Sequence, residues 1–220
     1  MNVGLLHTVP ALASSFDGLI AEQAAQLRRV HVVDAWLLAT ARREGVTGAV
    51  RSAVAGHIRH LEAVGVDAVL VTCSSIGEAA EDAGAQVAVP VIRVDAAMAA
   101  DAVRIATDGR GRIAVLATLE STLGPTGRLV ERAGAGHPVS VTSAVVAGAA
   151  EAADAGDRTG ADALIAAAVA AAAGEADVIV LAQASMAGAA ETAAVDVPVL
   201  TSPIGGVRAL LEALARSARA

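Results

Sequence analysis

The sequence contains no lysine, one cysteine and almost no aromatic side chains, and each shortage excludes a class of function. All 16 basic residues are arginine, so Schiff-base chemistry and a lysine phosphate clamp are excluded. The arginines are scattered and the formal net charge is −7, which leaves no basic stripe for nucleic acid. The single cysteine, Cys73, cannot form an internal disulfide, as is typical of a reducing cytoplasm.

Long apolar stretches are also missing. The longest apolar run, residues 163–174, is too short to span a bilayer, and the chain does not start with the charged segment of a signal peptide. We therefore expect a cytoplasmic protein without nucleic-acid or membrane partners. The hydrophobic fraction of 55% is mostly alanine and valine, so helices and sheet can approach closely. Sparse charge and small side chains favour a homodimer.

Strand-like and helix-like segments alternate along the chain, which predicts an α/β fold with parallel sheets flanked by helices. A helix is predicted from Gly124 to Ala133. Residues 36–47 and 143–159 show no recognisable pattern, and side-chain selectivity would come from these two segments.

The second half of the sequence repeats the first. Residues 67–75 match residues 177–185, so that Asp67 corresponds to Asp177 at an offset of 110 positions. A second match at the same offset begins at Val3 and Ile113. We expect two pseudo-symmetric lobes with the active site in the cleft between them. Lobe 1 would comprise residues 1–95 plus a closing helix at 204–220, and lobe 2 residues 96–203. Any two strands rich in valine and alanine look alike, but here the polar residues after the strands also match.

Cys73 stands at the carboxyl end of the predicted buried strand Ala68–Val71 and close to a helix N-terminus. Open α/β sheets bind their ligands at this edge. The helix end supplies unpaired N–H groups and partial positive charge, which would lower the pKa of a thiol and hold a carboxylate. The competing interpretation is an inert, buried cysteine.

Six short segments together resemble the aspartate/glutamate/hydantoin racemase superfamily. They are His7–Pro10, Thr72–Ser75, Val91–Asp95, Ala117–Thr122, Leu181–Ala187 and Val199–Pro203. The resemblance implies two lobes and cofactor-independent racemisation by two cysteines on opposite faces of the substrate α-carbon. It implies no metal and no pyridoxal phosphate. Relatives in the superfamily include decarboxylases and a cis–trans isomerase of a dicarboxylate.

Two positions depart from that pattern. Cys73 matches the first-lobe cysteine, but the second-lobe cysteine is replaced by Gln183. An amide has no proton to exchange near neutral pH, although it can hydrogen-bond a carboxylate or an enolate oxygen. His7 replaces the usual acidic residue after the first strand, and a histidine can deprotonate or orient a thiol. One thiol and one imidazole could therefore replace two thiols.

The predicted site combines catalytic groups with carboxylate and oxyanion donors. The catalytic residues are Cys73 and His7, and the substrate-binding residues are Thr8, Ser74, Ser75, Thr118, Thr122, Gln183 and Ser185. The competing role for the hydroxyl residues is helix capping. His57 and His60 lie three apart on a predicted helix, but no third ligand is near them in sequence, so we expect no metal.

The sequence thus predicts a cofactor-independent, racemase-like isomerase that acts through one cysteine thiolate at the α-carbon of an amino acid or related small carboxylate. Because Gln183 replaces the second cysteine, a single-cysteine decarboxylase, a cis–trans isomerase of a (di)carboxylate and a non-catalytic carboxylate binder remain alternatives. A scaffolding role would not account for the polar residues at the ends of the strands. The sequence does not name the substrate.

Overall fold

The computed structural model describes residues 1–218, which form two compact units. Unit 1 comprises Met1–Val94 and the closing segment that starts at Pro203, and unit 2 comprises Asp95–Ser202. Positions 219 and 220, at the end of the predicted closing helix, lie outside the described residues. Each unit contains one four-stranded sheet in which all strand pairs are parallel. The predicted two-lobe α/β fold is confirmed.

Unit 1 alternates strands and helices, with one extra helix between its second and third strands. Its elements are β1 (Asn2–His7), α1 (Pro10–Ala24), β2 (Arg28–Val33), α2 (Ala35–Glu44), α3 (Gly48–Ala63), β3 (Ala68–Val71), a 3₁₀ turn (Ser74–Ile76), α4 (Gly77–Gly84) and β4 (Val91–Arg93). The strand order is β2-β1-β3-β4.

Unit 2 repeats this order of elements. They are α5 (Ala96–Thr107), β5 (Arg112–Ala117), α6 (Glu120–Ala133), β6 (Ser140–Val145), α7 (Ala149–Asp154), α8 (Arg158–Ala173), β7 (Val178–Leu181), a 3₁₀ turn (Ala184–Met186), α9 (Ala187–Thr192) and β8 (Val199–Thr201). The strand order β6-β5-β7-β8 is that of unit 1. The closing helix α10 spans Ser202–Ser217.

The sequence repeat is reproduced in the hydrogen bonding of the two sheets. Asp67 donates its N–H to the carbonyl of Asn2 at 2.8 Å, and Asp177 donates to the carbonyl of Arg112 at 2.8 Å. In return, one carboxylate oxygen of each aspartate accepts the backbone N–H of the same partner. The repeated aspartates therefore fix the register at the amino ends of both sheets.

β3 and β7 lie inside their sheets, and all four side chains of each are buried. In unit 1, α3 contributes Val50, Val54 and Ile58 to the core beside β3. Their spacing of four places them on one face, and burying each stabilises the fold by about 1.5–3 kcal/mol. Thr47 caps this helix, since its hydroxyl accepts the N–H of Val50 at 3.3 Å.

Packing of α10 against the end of β4 requires a glycine. A Cβ atom at Gly206 would lie 2.8 Å from Val94 Cγ2 and 3.0 Å from the Val94 carbonyl oxygen. Because backbone cannot yield as a flexible side chain does, any larger residue at 206 would displace α10 from this strand.

Two helices were not predicted from the sequence, and the predicted start of a third was wrong. Residues 36–47 contain most of α2, which starts where the Asp34 carboxylate accepts the N–H of Trp36 at 3.0 Å. The six-residue helix α7 was also missed. α6 begins at Glu120 rather than Gly124 and contains Pro125. Its buried first-turn residues outweigh the glycine–proline pair, which alone favours a break.

Within residues 1–218, no helix is both long and apolar enough to cross a membrane.

Candidate active site

The sequence of β3 places Cys73 at the carboxyl edge of the unit 1 sheet. β3 ends at Val71, and Cys73 keeps an extended backbone with φ −126° and ψ 114° before the chain turns into Ser74–Ile76 and α4. Cys73 is partly exposed, whereas Ser74 and Ser75 are buried. The thiol therefore occupies the predicted position at a strand end and immediately before a helical turn.

Donor groups from two chain segments surround the Cys73 sulfur. Those that favour a thiolate are the Thr8 hydroxyl, the N–H groups of Ser75 and Ile76, and the Ser75 hydroxyl. Thr8 Oγ1 is buried and forms no hydrogen bond with ordinary geometry among the described residues, and the thiol of Cys73 is the group on which its hydroxyl acts. Thr8 and Ser75 thus lie beside the thiol, and their roles in substrate binding stay predictions.

The predicted lowering of the thiol pKa is wrong. Burial raises the pKa of Cys73 above its usual value, and the hydrogen bonds from Thr8, Ser75 and Ile76 offset this only in part. The residue is partly exposed, yet its sulfur is packed closely enough for loss of hydration to dominate. The nearby helix N-terminus alone predicted a lowered pKa. The sequence does not show how far a sulfur atom is shielded from water, and that shielding decides the direction here. At neutral pH, Cys73 rests as a thiol.

A close contact shapes the start of α4 below this turn. A Cβ atom at Gly77 would lie 2.5 Å from Arg93 Cζ, and Arg93 forms an ion pair with Glu81 at 3.2 Å. Gly77 thus gives the buried guanidinium room to cross the helix start. This packing fixes the segment that supplies N–H groups to Cys73.

His7 is fully buried beneath the same edge of the sheet. Its Nδ1 lies 2.9 Å from Thr72 Oγ1 and its Nε2 lies 3.0 Å from His31 Nδ1. Burial, followed by the nearby His31, lowers the pKa of His7 to about 4. Both ring nitrogens are therefore engaged by groups other than the thiol, and a catalytic role for His7 stays a prediction.

Gln183 occupies the matching edge of unit 2. It follows β7 with an extended backbone, φ −114° and ψ 136°, and precedes the 3₁₀ turn Ala184–Met186. Its Oε1 accepts the backbone N–H of Thr118 at 2.6 Å and the Thr118 hydroxyl at 3.0 Å. A backbone N–H can only donate, so this assigns the oxygen to Thr118 and leaves the amide NH₂ as the donor. Thr118 and Gln183 are thus in contact, and their roles in substrate binding stay predictions.

The other predicted residues of unit 2 differ in exposure. Thr122 is buried in the first turn of α6, whereas Ser185 is exposed in the turn after Gln183. Ser185 therefore does not share the burial of its counterpart Ser75, and its role in binding stays a prediction.

Sequence reasoning missed other polar groups near strand ends. Ser121 and Ser202 have buried hydroxyls without a partner among the described residues. Asp95, which follows β4, is fully buried and accepts the Thr126 hydroxyl at 3.4 Å. Asp95 and Ser202 stood inside family-like segments, and their position just after a strand was the available signal.

Metal-ligating side chains do not cluster in the part of the chain that the structure describes, where no group of three or more could hold an ion. His57 instead pairs with Asp34, with 2.8 Å between Nε2 and Oδ2. The absence of a metal and of a cofactor stays a prediction.

A cavity of about 320 Å³ lies along β5 and β6 of unit 2. Its lining includes Arg112, Ser140 and Glu175, and none of the predicted site residues. The lining runs along β5 from Arg112 to Leu116 and does not include Gln183.

Comparison with known proteins gives a family match over nearly the whole chain. The model of the Asp/Glu/hydantoin racemase family matches residues 7–214, which confirms the resemblance predicted from the sequence. The family's racemases are isomerases, so the predicted enzyme class is confirmed as well. No curated protein matches the sequence.

Solved structures share the fold. Glutamate racemase isoform RacE1 from Bacillus anthracis has a TM-score of 0.75 at 16% identity, covering 97% of this chain and 81% of that one. Picrophilus torridus aspartate racemase has a TM-score of 0.73 at 16% identity, covering 97% and 94%. The Gly74Cys mutant of arylmalonate decarboxylase has a TM-score of 0.62 at 17% identity, covering 98% and 94%. At such identities, the likeness establishes the fold alone.

Proposed function

Because the chain belongs to the Asp/Glu/hydantoin racemase family, we propose that it is a cofactor-independent racemase- or epimerase-like enzyme in which Cys73 alone exchanges a proton with the carbon next to a carboxylate. The supporting observation is the contrast between two equivalent strand ends. One carries a thiol among hydroxyl and N–H donors, and the other carries an amide whose oxygen is already engaged by Thr118.

The proposed step begins with the ionised fraction of Cys73. The thiolate takes the α-proton, the C–H electron pair moves into an enolate of the substrate carboxylate, and Cys73 becomes a thiol. Water gives a proton to the opposite face of the carbon, and the product is the other enantiomer. The hydroxide that remains takes the proton from Cys73, which restores the thiolate and the water. Water fills this role in the proposal because Gln183 has no exchangeable proton of suitable acidity.

The donors around Cys73 suit the charge that develops in this step. The N–H groups of Ser75 and Ile76 and the hydroxyls of Thr8 and Ser75 are fixed by the strand end and the helical turn. Fixed donors of this kind stabilise an oxyanion, and losing one costs about 3 kcal/mol of transition-state stabilisation. A small acid bound here would need neither metal nor cofactor for enolisation.

A decarboxylase is the second candidate, and the resting state of the thiol favours it. In that reaction the bond between the α-carbon and a carboxylate breaks, carbon dioxide leaves, and the electron pair remains as an enolate. The Cys73 thiol then donates its proton to the α-carbon, and water restores the thiol. One protonated thiol is sufficient, which accords with the raised pKa of Cys73 and with Gln183.

Deuterated water separates the two reactions. Purified protein is incubated with panels of L-amino acids, D-amino acids, hydantoins and C2-substituted malonates, and products are followed by proton NMR and chiral chromatography. Deuterium at the α-carbon with inversion supports the racemase. Release of carbon dioxide with one deuterium in the product supports the decarboxylase. Tight binding without either reaction would replace both with a carboxylate-binding protein.

The sign of the pH dependence gives a second distinction. A racemase that uses the thiolate becomes faster as the pH rises towards the raised pKa of Cys73, whereas a decarboxylase that uses the thiol becomes slower. Cys73→Ser is the control, because a pH limb that belongs to Cys73 must be absent in that variant. An unchanged rate in Cys73→Ser would remove the thiol from either mechanism.

The remaining predictions are independent of this choice. A homodimer, a cytoplasmic location and a substrate held between the two units stay predictions from the sequence.

A further inference from the structure

A chain of hydrogen bonds runs through unit 1 from the residue before Cys73 to the surface. Thr72 Oγ1 lies 2.9 Å from His7 Nδ1, His7 Nε2 lies 3.0 Å from His31 Nδ1, and His31 Nε2 lies 3.3 Å from Asp17 Oδ1. Thr72 and His7 are buried, whereas the side chains of His31 and Asp17 are 23% and 46% exposed. The chain therefore connects a buried strand end to solvent.

Counting donors and acceptors gives a first proton arrangement for this chain. The Thr72 hydroxyl donates to His7 Nδ1, His7 Nε2–H donates to His31 Nδ1, and His31 Nε2–H donates to the Asp17 carboxylate. Both imidazoles are neutral, and every ring nitrogen has a partner of the right kind. The Leu6 carbonyl, 3.1 Å from Thr72 Oγ1, still accepts the Thr72 backbone N–H at 3.0 Å.

Adding one proton gives a second arrangement with the same heavy-atom distances. His31 now carries a proton on both nitrogens and donates to Asp17 and to His7 Nε2. His7 then has its proton on Nδ1 and donates to Thr72 Oγ1, so the Thr72 hydroxyl donates to Leu6 O instead. His7 has exchanged tautomers without becoming charged, in accord with its lowered pKa of about 4.

Charged and titratable groups face His31 from β1, α1 and β2. His7 lies on β1, Asp17 on α1, and Arg29 on β2 donates its Nε–H to Asp17 Oδ1 at 2.6 Å. Phe16 on α1 presents an apolar ring to His7, with 6.0 Å between ring centroids. Asp17 is the only carboxylate among these partners, so it is the group that holds the added proton on His31.

We propose that His31 and Asp17 are positioning residues for the Cys73 edge, because one proton taken up between them reverses the hydrogen bond between His7 and Thr72. In the protonated arrangement, Thr72 gives Leu6 O a hydroxyl donor as well as its N–H, which tightens the contact of β3 with β1 just before Cys73 and Thr8. The hydrogen bonding next to the Cys73 thiol thus depends on pH through the surface carboxylate of Asp17. The link to turnover rests on the proposed function, but the proton arrangement does not.

Imidazole NMR tests the arrangement without any substrate. Nitrogen-15 shifts of the histidine rings are followed from pH 8 to pH 5 in the wild type, in Asp17→Asn and in His60→Gln. His60 is exposed and takes no part in the hydrogen bonds between Thr72 and Asp17. We expect His7 to change from the Nε2–H to the Nδ1–H tautomer at the midpoint where His31 becomes charged. In Asp17→Asn, both transitions should move together to lower pH, since a paired carboxylate is lost. A single His7 tautomer throughout, or an unmoved midpoint in Asp17→Asn, would overturn the proposal.

Alkylation of the thiol tests the positioning role. Cys73 is the only cysteine, so the rate of its reaction with iodoacetamide reports on this residue alone. We expect the rate–pH profile of the wild type to carry an inflection at the His31 midpoint, which moves in Asp17→Asn, returns in Asp17→Glu and is unaffected in His60→Gln. A profile that follows Cys73 ionisation alone in all variants would overturn the positioning role. Absence of turnover on every substrate would instead count against the proposed function and leave this measurement intact.

Discussion

The two units share a topology but differ in chemistry at equivalent positions. Strand order, strand register and the aspartate before the third strand are repeated, yet the same strand end carries Cys73 in one unit and Gln183 in the other. The backbone geometry of this strand end is therefore the same in both units. A thiol stands at one of these strand ends, and the other carries an amide whose NH₂ group can only donate hydrogen bonds.

The buried residues below the two strand ends also differ, being polar in unit 1 and apolar in unit 2. His7 and Thr72 of unit 1 form a buried polar chain, whereas their counterparts in unit 2 at an offset of 110 are Ala117 and Ala182, both fully buried in an apolar core. Buried polar chains are stable only when every member has a partner. Unit 1 maintains such a chain directly below its thiol, whereas apolar packing lies below Gln183.

The largest expected effect comes from removing the thiol. Cys73→Ala should lower turnover by at least about a thousandfold, because no second acid or base remains, whereas Gln183→Ala at the matching position should cost about ten- to a hundredfold through a lost hydrogen bond. Initial rates in the deuterium assay measure both. Equal losses in the two variants would mean that the two edges contribute alike.

The structure also shows how far sequence alone reached. The position of Cys73 was predictable because the apolar run of β3, the polar residues after it and the repeat around Gln183 are local patterns. The raised pKa of Cys73 and the partners of His7 were not, because both depend on packing between segments that are distant in sequence. The start of α2 was not predicted, because the helix has few buried residues and its N-cap, Asp34, is a residue type that is also common in loops.

Acid should destabilise the protein partly through His7, which unit 2 lacks. The pKa of His7 is lowered from 6.5 to about 4 on folding, so the unfolded chain binds more protons between these values. Stability is therefore lost as the pH falls from about 6.5 to about 4, by about 3 kcal/mol in total from this group. Urea denaturation at several pH values measures the loss.

The control for this effect is His7→Gln, which keeps a polar side chain but cannot titrate. Its free energy of unfolding should depend less on pH than that of the wild type over the same range, by about the amount assigned to His7. Parallel curves for the two proteins would show that His7 does not carry the acid sensitivity.

Restoring a thiol in unit 2 tests whether the lost chemistry explains the asymmetry. Gln183→Cys places a sulfur at the position equivalent to Cys73. Under the sequence-based prediction of one substrate shared by both edges, we expect inversion at the α-carbon to increase about tenfold relative to the wild type, since a second thiol can supply the opposite-face proton. Gln183→Ser is the matched control, because a hydroxyl is too weak an acid. Equal inversion rates in the two variants would count against a shared substrate.

The smallest expected effects are those of replacing Thr8 and Thr118, the threonines that follow β1 and β5. Thr118→Val removes one of two donors to Gln183 Oε1 and keeps the backbone N–H at 2.6 Å, so the amide stays oriented. The expected cost is about 1 kcal/mol, or roughly fivefold in kcat/KM. Thr8→Val removes a donor that favours the Cys73 thiolate and should raise the pKa of the thiol further, which moves the midpoint of iodoacetamide labelling to higher pH. Thr118→Val should leave that midpoint unchanged, and an equal shift in both variants would show that the two hydroxyls do not act locally within their own units.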